Sequence, residues 1–91
     1  MQTRAKRMES VLSAALAATL VTVEDDSVRH AGHAGAGPDG ETHYNVRVVS
    51  AAFAGLSRVE RHRRVNALLA AEFASGLHAL SLVLLTPEEA A

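Results

Sequence analysis

Residues 42–85 read THYNVRVVSAAFAGLSRVERHRRVNALLAAEFASGLHALSLVLL. Over Thr42–Ser50 apolar and polar side chains alternate, with Tyr44, Val46 and Val48 on one side, which predicts a half-buried strand. The segment RVERHRRVNALLAAEFASG has helical spacing, and HALSLVLL predicts a further strand. Because a helix connects the two strands, they are expected to lie parallel in one sheet.

The crossover helix has sequence signals at both ends. Ser57 can cap its start after the turn AAFAGLS, and Glu60 three residues on completes a capping box. Gly76 ends the helix, and Thr86 with Pro87 stops the last strand. The bounds of the unit are therefore expected to be well defined.

Upstream of the crossover unit, the sequence predicts one more helix and one more strand. Apolar or small side chains recur at helical spacing on one face, which indicates an amphipathic first helix and not a targeting peptide: Met8, Val11, Leu12, Ala15 and Thr19. The β-branched run Leu20–Asp25 predicts a strand that forms an antiparallel hairpin with the next. The order α-β-β-α-β predicts a single α+β domain over residues 1–91, with a three-stranded mixed sheet and its helices on one face.

The connection between the hairpin strands is long and rich in glycine. Residues 26–41 contain four glycines and a proline, which predicts a flexible loop that carries His30 and His33. Loops longer than about 12 residues tend to be functional or disordered. The alternative is a hairpin connection without function.

Composition limits the chemistry of the chain. Its 91 residues, 48% of them hydrophobic, fit one small globular domain. Without cysteine there is no disulfide, no thiolate nucleophile and no self-contained iron–sulfur cluster. The net charge of -1 argues against coating nucleic acid or an anionic membrane, and no apolar run can span a bilayer, so a soluble, cytoplasmic chain is expected.

The histidines are the candidate metal ligands, because a neutral imidazole binds metal near neutral pH. His30 and His33 have HxxH spacing, which by itself is weak support for a metal site. His43 lies on the polar face of its strand, where most histidines are simply exposed. His78 is either a ligand held at the rim of the sheet or a core histidine, because it shares the parity of Leu80, Leu82 and Leu84.

His62 lies on the apolar side of the crossover helix, in the stripe formed by Val65, Leu69 and Phe73. We interpret it as a structural histidine that hydrogen-bonds to backbone.

Four arginines make the same helix locally basic: Arg58, Arg61, Arg63 and Arg64. Together with the turn at Ser57 they are candidates for phosphate contact. The alternative is a solvated helix face, since the domain as a whole is not basic and no aromatic residues are interleaved.

Four segments in order resemble the BolA-like protein family: VEDDSVRHAGHAG, ETHYNVRVVSAAFAGLS, RVERHRRVNALLAAEF and GLHALSLVLLTPEE. Within them stand the signatures THY, VVS.AF.G, RHR and HALS. The loop is similar to that of the histidine-bearing subgroup of these stress-response morphogens, and not to the subgroup with cysteine there.

The resemblance implies a fold like class II KH domains and a partnership with a monothiol glutaredoxin. The glutaredoxin and glutathione would supply thiolates to a two-iron two-sulfur cluster, and this chain would ligate the other iron through His78 and His30, with His33 a substitute. Alone, the chain would hold no cofactor and would be a monomer or weak dimer. The apolar Val83 and Leu85 depart from the more polar family pattern and are candidate partner contacts.

Two functions follow as expectations. The first is an adaptor for iron–sulfur trafficking or for iron or redox sensing. The second is a transcriptional regulator that uses the turn and helix of residues 57–73, although DNA binding is expected to be weak and the chain lacks the GxxG loop of nucleic-acid-binding KH domains. An enzyme is not expected: Glu24, Asp25 and Asp26 lie near His30, but no activated nucleophile accompanies them.

Overall fold

The computed structural model describes residues 3–25 and 43–91. Strand β1 (Leu20–Asp25) pairs antiparallel with β2 (His43–Val49), and β2 pairs parallel with β3 (Ala79–Leu85). The strand order is β1-β2-β3, so β2 lies at the centre. The α+β class, the hairpin and the parallel crossover pair are thus confirmed, and β1 has its predicted bounds.

The core lies on one face of this sheet. Tyr44, Val46 and Val48 of β2 are buried, as their alternation predicts. They form one cluster with side chains from the helices and turns, which include Met8, Leu12, Leu16, Phe53, Val65 and Leu69. Burial of each large apolar side chain stabilises the fold by about 1.5–3 kcal/mol. The helices therefore pack on the face to which the cluster belongs.

Helix α1 (Arg4–Leu16) begins after Thr3, whose side chain accepts a hydrogen bond from the backbone N–H of Lys6. Its buried face consists of Met8, Leu12 and Leu16, four residues apart. The predicted face is wrong at three positions: Val11 is 38% exposed, Ala15 is also exposed, and the helix ends before Thr19. The left-handed Ala17 terminates the helix one turn earlier than the apolar pattern suggests.

A buried serine fixes the turn that follows β2. The hydroxyl of Ser50 donates to the carbonyl oxygen of Leu16 at 2.5 Å and accepts from the N–H of Ala52 at 3.0 Å. A 3-10 turn (Ala51–Phe53) follows, and Gly55 then adopts φ of 80°. The bonds of Ser50 hold the C-terminus of α1 against the sheet.

The crossover consists of two helices, not one. Helix α2 (Arg58–Leu68) carries the predicted capping box between Ser57 and Glu60, in which both hydrogen bonds are present. The chain leaves helical geometry at Leu69, and α3 (Ala70–Ala74) follows. The prediction of one uninterrupted helix in the crossover is therefore wrong. Leu69 is buried, whereas Phe73 is 37% exposed and does not complete the predicted apolar stripe.

An ion-pair cluster joins α1 to α3. Arg7 donates to Glu72 through Nε at 2.9 Å, and Nη1 of Arg4 lies 3.1 Å from the same carboxylate. Arg4 also donates to the backbone carbonyl oxygens of Glu72 and Ser75. The hydrogen bond from Arg7 and the positive charges hold the pKa of Glu72 below its usual value. These contacts fix the first helix to the end of the crossover.

A fourth helix, α4 (Pro87–Ala90), follows β3, where the sequence predicts only the end of the strand. Thr86 and Glu89 form a second capping box, with Pro87 in the first turn. The carboxylate of Glu89 also accepts from Nη1 of Arg61 at 2.6 Å. This bond and the capping bond from Thr86 lower the pKa of Glu89 to about 2. Helix α4 is thereby held against α2.

The predicted flexible loop of residues 26–41 lies outside the described residues, and with it Asp26, His30 and His33. The elements at residues 3–25 and 43–91 share the one core described above. Among these residues, no helix has the length and apolar character required to cross a membrane.

Candidate functional site

His78 lies at the end of the sheet, directly before β3. Its neighbour Leu77 is buried, and the Leu77 N–H donates to the carbonyl oxygen of Glu72 at 2.9 Å. Ala79 on the other side is the first residue of β3 and pairs with β2. Both neighbours are thus fixed, while the His78 side chain is exposed. The interpretation of His78 as a core histidine is wrong, because Leu77 occupies the buried position there and β3 begins only at Ala79.

His43 is a second histidine at this end of the sheet, although its position on the polar face of its strand suggests simple exposure. It is the first residue of β2, and its register partner is Ala79, which follows His78 in the chain. The two imidazole rings are therefore neighbours, with centroids 5.2 Å apart and planes inclined by 50°. His43 is half-buried. We refer to His43 and His78 as the histidine pair.

The histidine pair has the donor chemistry of a metal site. Imidazole nitrogen is a ligand for iron, zinc and copper, and two imidazoles can serve the same ion. Within residues 3–25 and 43–91, no group of three or more histidine, aspartate or glutamate side chains could hold a metal ion. From the described part of the chain, the histidine pair can therefore fill only part of a coordination sphere.

The apolar candidates for partner contact lie away from the histidine pair. Val83 is 44% exposed and pairs with Arg47, while Leu85 is half-buried and pairs with Val49. With a rise of about 3.3 Å per residue, Val83 lies roughly 13 Å along β3 from its first residue, Ala79. The structure therefore does not bring Val83 or Leu85 into the immediate surroundings of His78.

The four arginines of α2 have different environments. The Arg61 side chain is only 13% exposed, donates to the carbonyl oxygens of Leu56 and Leu84, and lies 5.9 Å from the ring centroid of Phe53. The other three are exposed: Arg58, Arg63 and Arg64. Arg61 is thus part of the packing between α2, β3 and α4, and only three of the predicted phosphate contacts face solvent.

His62 is half-buried, and its Nδ1 lies 2.8 Å from the carbonyl oxygen of Arg58, within hydrogen-bond distance. The backbone partner that we expected for a structural histidine is present.

Residues 12–89 match the family of BolA-like proteins. The chain is 51% identical over 90 residues to the chloroplastic and mitochondrial SufE-like protein 1 of Arabidopsis thaliana. That alignment covers 94% of this chain and 24% of the plant protein. The chain is 48% identical to the chloroplastic protein BOLA1 of the same plant, over 97% of this chain and 56% of that protein. It thus spans about a quarter and about half of the lengths of these two relatives.

Among solved structures, the BolA domain of SufE1 from Arabidopsis thaliana superimposes with a TM-score of 0.88 at 48% sequence identity. The alignment covers 98% of each chain. The similarity therefore extends over the whole fold described above, including both ends of the sheet.

Proposed function

Since this chain belongs to the BolA-like protein family, we propose that it binds a monothiol glutaredoxin and co-ligates a two-iron two-sulfur cluster with it. In this proposal the glutaredoxin and glutathione supply thiolates, and the chain supplies imidazoles. The chain acts as an adaptor in iron–sulfur trafficking or in iron or redox sensing. The observation that carries the proposal is the histidine pair, in which an exposed His78 lies beside His43 at the end of the sheet.

The ligand chemistry of the chain supports a shared site. These 91 residues contain no cysteine, so they supply no thiolate ligand and could contribute only imidazoles to a shared cluster. His78 lies on a fixed stretch of backbone between buried Leu77 and paired Ala79, which positions its ring at the rim of the sheet. When bound, such a cluster supplies one-electron redox chemistry and transferable iron and sulfide, and imidazole ligation raises its reduction potential.

The test is to mix the full chain with a monothiol glutaredoxin that carries its glutathione-ligated cluster. We expect the visible absorption and circular dichroism spectra to change and to saturate at one chain per glutaredoxin, with co-elution of the two proteins. The control is the same mixture with cluster-free glutaredoxin. Unchanged spectra together with separate elution would exclude the proposal.

The two loop histidines lie outside the described residues, and their role stays a prediction. His30→Ala and His33→Ala are each expected to retain part of the cluster spectrum, because the two histidines are three residues apart in a glycine-rich sequence and either is expected to substitute for the other. The double variant is expected to lose that spectrum. A double variant that retains it in full would remove the loop from the proposed ligand set.

A further inference from the structure

A groove of about 570 Å³ lies along the outer edge of β3, at the far end of the sheet from the histidine pair. One wall comes from α2, with Arg58, Arg61 and His62, and the other from residues 82–85 of β3. Glu89 of α4 lies at its margin. A groove of this volume is within the range of protein ligand sites.

On the β3 side, the groove is lined by backbone N–H and C=O groups at the outer edge of the strand. In the described residues no strand lies beyond β3, because the order is β1-β2-β3. The carbonyl oxygen of Leu84 faces away from β2, since it accepts from Nη1 of Arg61 at 3.0 Å. Backbone groups of alternate residues in a strand face the same edge, so the N–H and C=O of Leu82 also face the groove. Such an edge can pair with an added strand.

The α2 side of the groove is positively charged. Arg61 is neutralised by Glu89 at 2.6 Å, but Arg58 is exposed and forms no ion pair with the described residues. At about 3.3 Å per residue, residues 82–85 extend over roughly 10 Å from the first Cα atom to the last, the length of a short extended peptide. Charge and shape therefore fit an extended segment that carries a carboxylate.

We propose that this groove binds an extended acidic segment of another protein, which pairs with the outer edge of β3 and places a carboxylate beside Arg58. A second copy of this chain is a poor occupant, because edge-to-edge pairing would bring two positive walls together. Nucleic acid is also disfavoured, since the chain has a net charge of -1 and the groove has one uncompensated arginine. The proposal does not rest on the shared cluster.

The test is a titration of the ¹⁵N-labelled full chain, without glutaredoxin or cluster, with an alternating valine–glutamate peptide. We expect amide shifts confined to residues 82–85 and the facing turns of α2, and slower hydrogen exchange at the Leu82 amide. An alternating valine–lysine peptide tests the charge, and a valine–glutamate peptide with N-methylated backbone tests the strand pairing. Both are expected to bind about tenfold more weakly or not at all.

Arg58→Glu is expected to weaken binding of the valine–glutamate peptide about tenfold. The matched control, Arg64→Glu, reverses a charge on the same helix outside the groove, and its dissociation constant should stay within about twofold. Both side chains are exposed, and an unchanged amide spectrum in the absence of peptide shows that each variant is folded.

Four outcomes would overturn the proposal. They are no binding at millimolar peptide, equal affinity in the Arg58→Glu variant and the unmodified chain, shifts centred on α1, and displacement of the peptide by a short single-stranded oligonucleotide. A doubled mass of the chain alone, with the same β3 amides protected, would assign the edge to a second copy instead.

Discussion

The two ends of β3 differ in how the fold uses their polar side chains. At the start, His78 is exposed beside His43, and the fold fixes the backbone around His78 while its ring faces solvent. At the end, Arg61 is bonded to the carbonyl oxygen of Leu84 and to the carboxylate of Glu89. One end therefore presents an imidazole to solvent, and the arginine at the other end holds elements of the fold together.

This difference shows that residue type alone does not locate a functional site. In the sequence, Arg61 belongs to a basic run that suggests phosphate binding. His78 falls on the same side of its strand as leucines that are expected in the core. In the structure Arg61 is largely buried, unlike the exposed phosphate contact that the basic run suggests. His78 is exposed, which excludes the core position and agrees with the alternative at the rim of the sheet. What distinguishes the two is whether the polar atoms already have partners within the fold.

The largest expected effect is at the histidine end. His78→Ala should abolish the visible spectrum of the complex with cluster-loaded glutaredoxin, because it removes an imidazole that no other residue among those the structure describes at this rim replaces in full. The free energy of unfolding should change by no more than about 0.5 kcal/mol, since the side chain is exposed. His43→Ala should reduce the spectrum in part, and His62→Ala should leave it intact. If His78→Ala retains the spectrum and the stability of the cluster, His78 is not a ligand.

At the other end of β3 the expected effect is on stability. Arg61→Ala should lower the free energy of unfolding by about 2 kcal/mol, because it removes bonds to the carbonyl oxygens of Leu56 and Leu84 from a largely buried side chain. Urea denaturation followed by far-ultraviolet circular dichroism measures this. Arg64→Ala, on the exposed side of the same helix, is the control and should change the value by less than about 0.5 kcal/mol. Equal effects of the two substitutions would remove the distinction between the two ends.

The smallest expected effect is the pH dependence of the stability that the Glu89 carboxylate contributes. Its pKa is lowered from 4.5 to about 2, first by the Arg61 hydrogen bond and then by the Thr86 backbone N–H. Because the pKa in the folded state is the lower one, the ionised carboxylate stabilises the fold above pH 4.5, and this contribution is lost as the pH falls through about 2. The difference in melting temperature between the unmodified chain and Glu89→Gln should therefore shrink over this interval.

Glu88→Gln is the matched control for that experiment. Glu88 is exposed in the same short helix, and no bond from Arg61 reaches it. Its melting temperature should follow that of the unmodified chain across the same interval. A constant offset for Glu89→Gln from neutral to acidic pH would show that the carboxylate charge does not contribute.

Much of the fold could be predicted from local pattern. The strand β1, the alternation in β2 and the capping box at Ser57 depend on neighbours in the sequence, and all are present. The break at Leu69 could not be predicted, because no glycine or proline marks it in the sequence. Helix α4 had a signal, since Thr86 and Glu89 have capping-box spacing, but Pro87 after a strand was interpreted only as a stop.

The candidate site was predictable only in part. His78 could be identified from the family resemblance, whereas its proximity to His43 depends on the register between two parallel strands. That register is set by the path of α2 and α3 and by the burial of Leu77, none of which a local pattern specifies. Contacts between side chains on the two strands of a crossover can be identified only when the three-dimensional path of the crossover is known.

The ion-pair cluster between α1 and α3 also determines how much of the chain must be present before the first helix is fully secured. Arg4 and Arg7 are separated from Glu72 by 68 and 65 positions in the sequence. An N-terminal fragment that stops short of Glu72 lacks these bonds, and one that stops short of Ala79 also lacks the parallel partner of β2. As the polypeptide is synthesised, α1 therefore gains its full set of contacts only after α3 is available, and a truncation that removes Glu72 also removes contacts of α1.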